Sequence, residues 1–307
     1  DGMALSIPVL EDGIRQETAA SGRLARGEKV RELKLPLPAV LDPARTAVQV
    51  QISGSHAATM LDALPYLVDY PYGCVEQTMS RFLPAVVVRK TLGDLGLDAA
   101  AVEARILRTE TPVDAARRRK TAGLGRLDEV IGKSLARLAE AQRSDGGFGW
   151  WPGARETNLW MTAYVAWGLE LARSAGVAVP AALAERTRTA LLRYRATGNE
   201  AADTVAWVLA ALAAGPIGEN DAKSLKEGFA GCYAEREKLS ATGRACLALA
   251  AAKFASPEER TVVLRNLENG AARAASADLG DTVHWGSTEN YWRASDGAAE
   301  ATALTLL

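Results

Sequence analysis

A chain of 307 residues that is 48% hydrophobic is long enough to bury one large core or two ordinary ones. Its formal net charge of -1 and pI near 6.3 give no electrostatic footprint for nucleic acid or an anionic membrane, and no apolar run approaches the length of a membrane-crossing helix. The chain opens at Asp1 without a signal peptide and stops at Leu307 inside an apolar helical pattern, so it is expected to be a piece of a longer protein, with any export signal or lipid anchor outside it.

Residues 1–55 are expected to form a partial β module. Val30, Leu33, Leu35 and Leu37, then Val48, Val50 and Ile52, fall in short alternating runs broken by Pro36, Pro38 and Pro43, a pattern of edge strands and turns. From His56 to residue 307 the pattern is predicted to be helical almost throughout. It begins with Tyr70-Pro71-Tyr72-Gly73-Cys74-Val75-Glu76-Gln77, where a cysteine and a glutamine stand three residues apart after a Pro/Gly turn. On a helix such a pair shares a face, and Gly73 offers the freedom of a tight entry. If the thiolate attacks the Gln77 carboxamide and ammonia leaves, the product is an internal thioester. A helix N-terminus suits that chemistry, because its partial positive charge favours a thiolate and the negative charge that builds on an attacked carbonyl. Glu76, in the first turn, complements the same dipole and is also placed to manage a proton. Pro84, ten positions on, predicts a kink or a restart near Leu83.

The basic run Arg117-Arg118-Arg119-Lys120 reads as a solvated connection. Leu124, Leu127, Ile131, Leu135 and Leu138 then step at the spacing of one buried helix face, with Arg126, Asp128, Glu129, Lys133 and Arg137 opposite. The stretch from Gln142 through Asp145-Gly146-Gly147-Phe148 to Trp150-Trp151 reads as a turn in which Gln142 caps a helix end and the indoles pack. Residues 159–172 are apolar nearly all round, 181–196 are charged, and 204–214 carry no charge. A charged segment around Lys223, Lys226 and Glu227, an apolar one at 245–252, another charged one at Glu258–Arg265 and an apolar one from Ala299 continue the alternation. Enclosed and solvated helices in strict succession imply a mainly α fold, an α/α toroid of antiparallel helical hairpins arranged in two concentric layers. Pro180, Gly215-Pro216 and Ser256-Pro257-Glu258-Glu259 punctuate the helices accordingly.

The run around Cys74 resembles the thioester signature Gly-Cys-x-Glu-Gln of the alpha-2-macroglobulin and complement family, and its longer form is similar to the bacterial branch. The resemblance extends to Trp160-Met161-Thr162-Ala163-Tyr164. It implies a thioester-containing α/α toroid over residues 56–307, inserted in a β-sandwich (CUB) of which residues 1–55 are a fragment. It further implies a covalent protease trap rather than an enzyme. The partners would be target proteases, captured through lysine amines, and neighbouring domains of the same longer chain, with no nucleic acid. The resemblance places the protein in the periplasm, often tethered to the inner membrane by a lipid outside this chain. Tyr70, four residues before the cysteine, holds the position of a shielding tyrosine in that branch, and Tyr72 is a second aromatic lid. The histidine that redirects complement-type thioesters to hydroxyls would fall near Gly198-Asn199-Glu200, where none is present, so direct reaction with amines is implied.

Two rival readings are carried. Asp145-Gly146-Gly147-Phe148 resembles the helix-linking repeat of terpenoid cyclases, but neither an acidic donor cluster nor a zinc set accompanies it, and no cofactor or metal is expected. A Cys/His hydrolase would use Cys74 with His56 or His284 as base, although the surroundings of Cys74 match no cysteine-protease pattern. His284 is also a weak candidate for the missing intermediary. The other two cysteines, Cys232 and Cys246, are compatible with a disulfide in an oxidising compartment or with two buried thiols.

Overall fold

The computed structural model describes residues 73–108, 126–195, 201–276, 280–287 and 297–307, together with parts of 16–52. The chain divides into two compact units. One comprises Asp1–Ile52 and Arg273–Val283; the other comprises Ser53–Ala272 and His284–Leu307.

In the first unit, the described residues of 16–52 form no strand, and Val30, Leu33, Leu35, Leu37, Val48, Val50 and Ile52 are exposed. Alternation supplies an apolar face, but a strand also needs a hydrogen-bonded neighbour, and the described residues here pair with none. The unit's regular structure is a two-stranded sheet, β1 (Ala272–Ser276) and β2 (Gly280–His284). That hairpin corrects the expectation of helix almost to the end. The sequence Ala-Arg-Ala-Ala-Ser has no β-branched alternation to announce a strand.

The second unit is helical. Its elements are α1 (Val75–Asp94), α2 (Ala99–Arg108), α3 (Leu127–Ala141), α4 (Leu159–Ser174), α5 (Ala181–Arg195), α6 (Ala202–Ala214), α7 (Glu219–Ala234), α8 (Ala241–Phe254), α9 (Pro257–Asn269) and α10 (Ala298–Thr305). α1 packs on α4, α4 on α6, α6 on α8 and α8 on α10, forming an inner layer in chain order. α3 lies on α1, α5 on α4 and α6, α7 on α6 and α8, and α9 on α8, forming the outer layer. This is the alternation expected of an α/α toroid. The central inner helix is buried almost all round: every residue of α6 from Ala206 to Ala213 is in the core, whereas α10 buries only Ala301 and Leu304. Outer helices bury one stripe, as α3 does with Leu127, Ile131, Leu135 and Leu138.

α1 runs unbroken through Pro84, against the expected restart. Proline there removes one hydrogen bond and costs roughly 3 kcal/mol. Phe82, Leu83, Ala85, Val86 and Val88 around it are buried, and burial of each large apolar side chain returns about 1.5–3 kcal/mol, so packing decides the helix. α1 and α4 meet closely at Gly168, where an added Cβ would collide with the Met79 side chain.

Candidate functional site

Four backbone donors at a helix start have no partner inside the helix. At α1 the local sequence meets part of this need in an unusual way. Cys74 is the N-cap, with extended backbone, and its Sγ accepts from the Gln77 amide at 3.3 Å. The Gln77 side chain reaches back, its Oε1 accepting from the Cys74 amide at 3.2 Å. The Thr78 amide and hydroxyl both donate to the Cys74 carbonyl, at 2.9 and 2.8 Å. α9 has the ordinary form of this reciprocal capping box, with Glu259 N–H donating to Ser256 Oγ at 3.2 Å and Ser256 N–H to Glu259 Oε2 at 2.8 Å. Cys74 and Gln77 repeat it with sulfur in place of the hydroxyl and a carboxamide in place of the carboxylate. The pair therefore meets across the cap rather than along a helix face, and Cys74 is buried while Gln77 keeps partial access to solvent.

The remaining expected site residues divide. Glu76 sits in the first turn and accepts from Ser80 Oγ at 2.5 Å. Gly73 is exposed and is not among the glycines with positive φ, so its entry needs no left-handed backbone. His284 ends β2 and makes no hydrogen bond with Cys74. Tyr70, Tyr72, His56, the 117–120 run and 198–200 lie outside the described residues. No cluster of metal-binding side chains occurs among the described residues.

Sequence reasoning treated the glycine- and tryptophan-rich turn after α3 as structural only; the structure brings it to the site. The Val75 amide, first in α1, donates to the Trp150 carbonyl at 2.9 Å. Gln142 is the C-cap of α3 through its backbone N–H, which donates to Leu138 O, while its side-chain Nε2 holds the loop and α5 instead, donating to Gly146 O, Leu183 O and Thr187 Oγ1 at 2.9–3.1 Å. Gly146 is needed there, with φ of +89° and the Arg186 carbonyl where a Cβ would stand. Of the two indoles, Trp150 stacks on Trp160, ring centroids 6.1 Å apart and 5° from parallel, whereas Trp151 stays 63% exposed. Trp160 leans in turn on Tyr164 and Trp207. Burial pushes the Tyr164 phenol up; contact with Ser80 opposes the rise, and Glu76 and Glu300 add to it. Proximity to Trp150 had no signal in the sequence, because 75 residues separate it from Val75.

Cys232 and Cys246 are buried free thiols, on α7 and α8. Burial is the main cause that pushes Cys232 up to about 11, and it pushes Cys246 higher still.

The family model described as the A-macroglobulin TED domain matches residues 46–199, half of the chain. The chain is 35% identical over 125 residues to the alpha-2-macroglobulin of Thermotoga maritima, covering 41% of this chain and 6% of that protein. It is 31% identical over 169 residues to that of Ralstonia nicotianae, covering 53% and 10%. Among solved structures, native Escherichia coli alpha-2-macroglobulin from domain MG7 to the C-terminus aligns with 68% of this chain and 31% of its own, with 21% identity and a TM-score of 0.47. The chain thus spans about a tenth or less of the length of these two curated relatives. On the match of the family model, which takes in the Cys74 cap, the chain belongs to the alpha-2-macroglobulin family, through its TED domain.

Proposed function

We propose that Cys74 and Gln77 close an internal thioester and that this chain is the acylating part of a larger covalent protease trap, a single-use inhibitor rather than an enzyme. The observation that carries the reading is the reciprocal cap, which holds the sulfur and the carboxamide together before any reaction. Closure forms a bond from Cys74 Sγ to the Gln77 side-chain carbonyl carbon and breaks the carbon–nitrogen bond; the nitrogen leaves with the thiol proton as ammonia. Negative charge builds on Oε1, and the Cys74 amide already donates to that atom. In capture, a lysine amine of the protease attacks the acyl carbon, the carbon–sulfur bond breaks, and the proton lost by the amine ends on Cys74. A thiolate is the better leaving group because its conjugate acid is far stronger than an amine.

Tyr70 and Tyr72 act as covers against water, and neighbouring domains of the longer protein complete the shield. Membership of the family supports a periplasmic setting with an anchor outside this chain. The described hydrogen-bond partners of Cys74 are Gln77 and Thr78, neither of which is the base that a Cys/His hydrolase needs.

Intact mass before and after methylamine, with peptide mapping across Cys74 and Gln77, tests the reading. The expected result is a starting mass one ammonia below the encoded value, then methylamine on Gln77 and a free thiol at Cys74. An encoded mass that methylamine leaves unchanged would sink it.

A further inference from the structure

We infer that Trp150 is a positioning residue for the acylating pair: its carbonyl and its ring together pin the first turn of α1, on which the Cys74–Gln77 cap depends. The inference deepens the thioester reading and rests on it for its chemical consequence. The first amide of a helix ordinarily faces water or a cap. Here the Val75 amide, in a residue only 1% exposed, is taken by the Trp150 carbonyl. That carbonyl is fixed from both sides. On the loop side, Asn158 N–H donates to Phe148 O at 2.8 Å, Phe148 N–H to Thr162 Oγ1 at 2.9 Å, and Thr157 Oγ1 to Asp145 Oδ2 at 2.8 Å. On the ring side, the indole lies flat on Trp160, which belongs to α4 and whose carbonyl accepts from Trp207 Nε1 of α6 at 3.2 Å. The first turn of the acylating helix is thereby tied to two further inner helices through one half-exposed side chain.

Loosening that turn lengthens the mean separation of Cys74 Sγ and Gln77 and admits water to the acyl carbon. Trp150 touches neither reacting atom, so its effect is on the order of the cap and the lifetime of the thioester.

The test uses the 307-residue chain and three substitutions: Trp150→Ala, Trp150→Phe, and Trp151→Ala at the exposed neighbouring indole, which makes no stack among the described residues. Hydrogen exchange of the Val75 and Gln77 amides is followed beside that of α8, with spontaneous hydrolysis of the thioester read by mass. Trp150→Ala is expected to speed first-turn exchange about tenfold while α8 stays protected, and to shorten the thioester lifetime several-fold. Trp150→Phe should restore both to within about twofold, and Trp151→Ala should change neither. Unchanged first-turn exchange in Trp150→Ala, or an equal effect from Trp151→Ala, overturns the inference. Should the alanine variant lose its fold, Trp150→Leu, which keeps apolar bulk without the stacked plane, carries the same comparison. A parent chain that has lost no ammonia refutes the thioester reading instead, and the exchange arm still decides the role of Trp150.

Discussion

Cys74 has a structural duty in the fold and a separable chemical one in the proposed thioester. As N-cap it supplies an acceptor for the Gln77 amide, and in the proposed closure its thiol is the nucleophile. Serine keeps the first duty and lacks the second. Cys74→Ser is therefore expected to hold the stability of the parent, whereas Cys74→Ala should lose about 1 kcal/mol, the usual cost of a cap. Both should abolish amine capture with the helical core intact. Urea unfolding and methylamine incorporation measured side by side separate the two, and loss of fold in either variant would make Cys74 a structural residue. The motif signalled the chemical role proposed for the pair; the capping role, in which Cys-x-x-Gln has the spacing of the Ser-x-x-Glu that opens α9, came only with the structure.

At the scale of the element, α1 shows tertiary packing overriding local preference. Its sequence places a proline in the interior, and the helix continues because both sides of Pro84 are buried against α3 and α4. Pro84→Ala would return a donor to the Ser80 carbonyl and lose some ring contact. The expected net effect is stabilisation of roughly 1–2 kcal/mol, read as a higher urea midpoint with unchanged slope. A fall in the midpoint would mean that the proline ring packs better than the helix bonds. The same contest explains the turn after α3. Gly and Trp announced a bend there, and Gln142 its anchor, but the partners of that anchor, Leu183 and Thr187, lie on α5 and are invisible in local sequence.

At the scale of the molecule, the alternation of charged and uncharged helices becomes two layers, and the spare thiols are buried in them, Cys232 on outer α7 and Cys246 on inner α8. Cys232 has its folded value raised from 9.0 to about 11, so the folded state holds its proton more tightly than the unfolded chain. Its contribution to stability is complete below pH 9 and is lost as pH rises through about 11. Thermal melts over that window should show a decline that Cys232→Ala flattens; an equal decline in the variant would assign it to other groups. At neutral pH neither Cys232 nor Cys246 should react with a disulfide reagent in the folded chain. Methylamine should then release one reactive thiol, at Cys74, and denaturation the other two.

Periodicity was enough to establish helices and their inner and outer faces, because those depend on spacings of three and four residues that any helix enforces, and the Gly-Cys-x-Glu-Gln motif marked Cys74 and Gln77 as the candidate pair. The start of α9 at Ser256 and the end of α6 before Gly215 were legible for the same local reason. Only the tertiary structure decided that Pro84 is tolerated, that β1 and β2 interrupt the helices, and that the Trp150 carbonyl accepts from the first amide of α1. Each of these depends on partners distant in sequence, and the free energy that selects them comes from burial and from satisfied backbone donors, which local pattern does not encode.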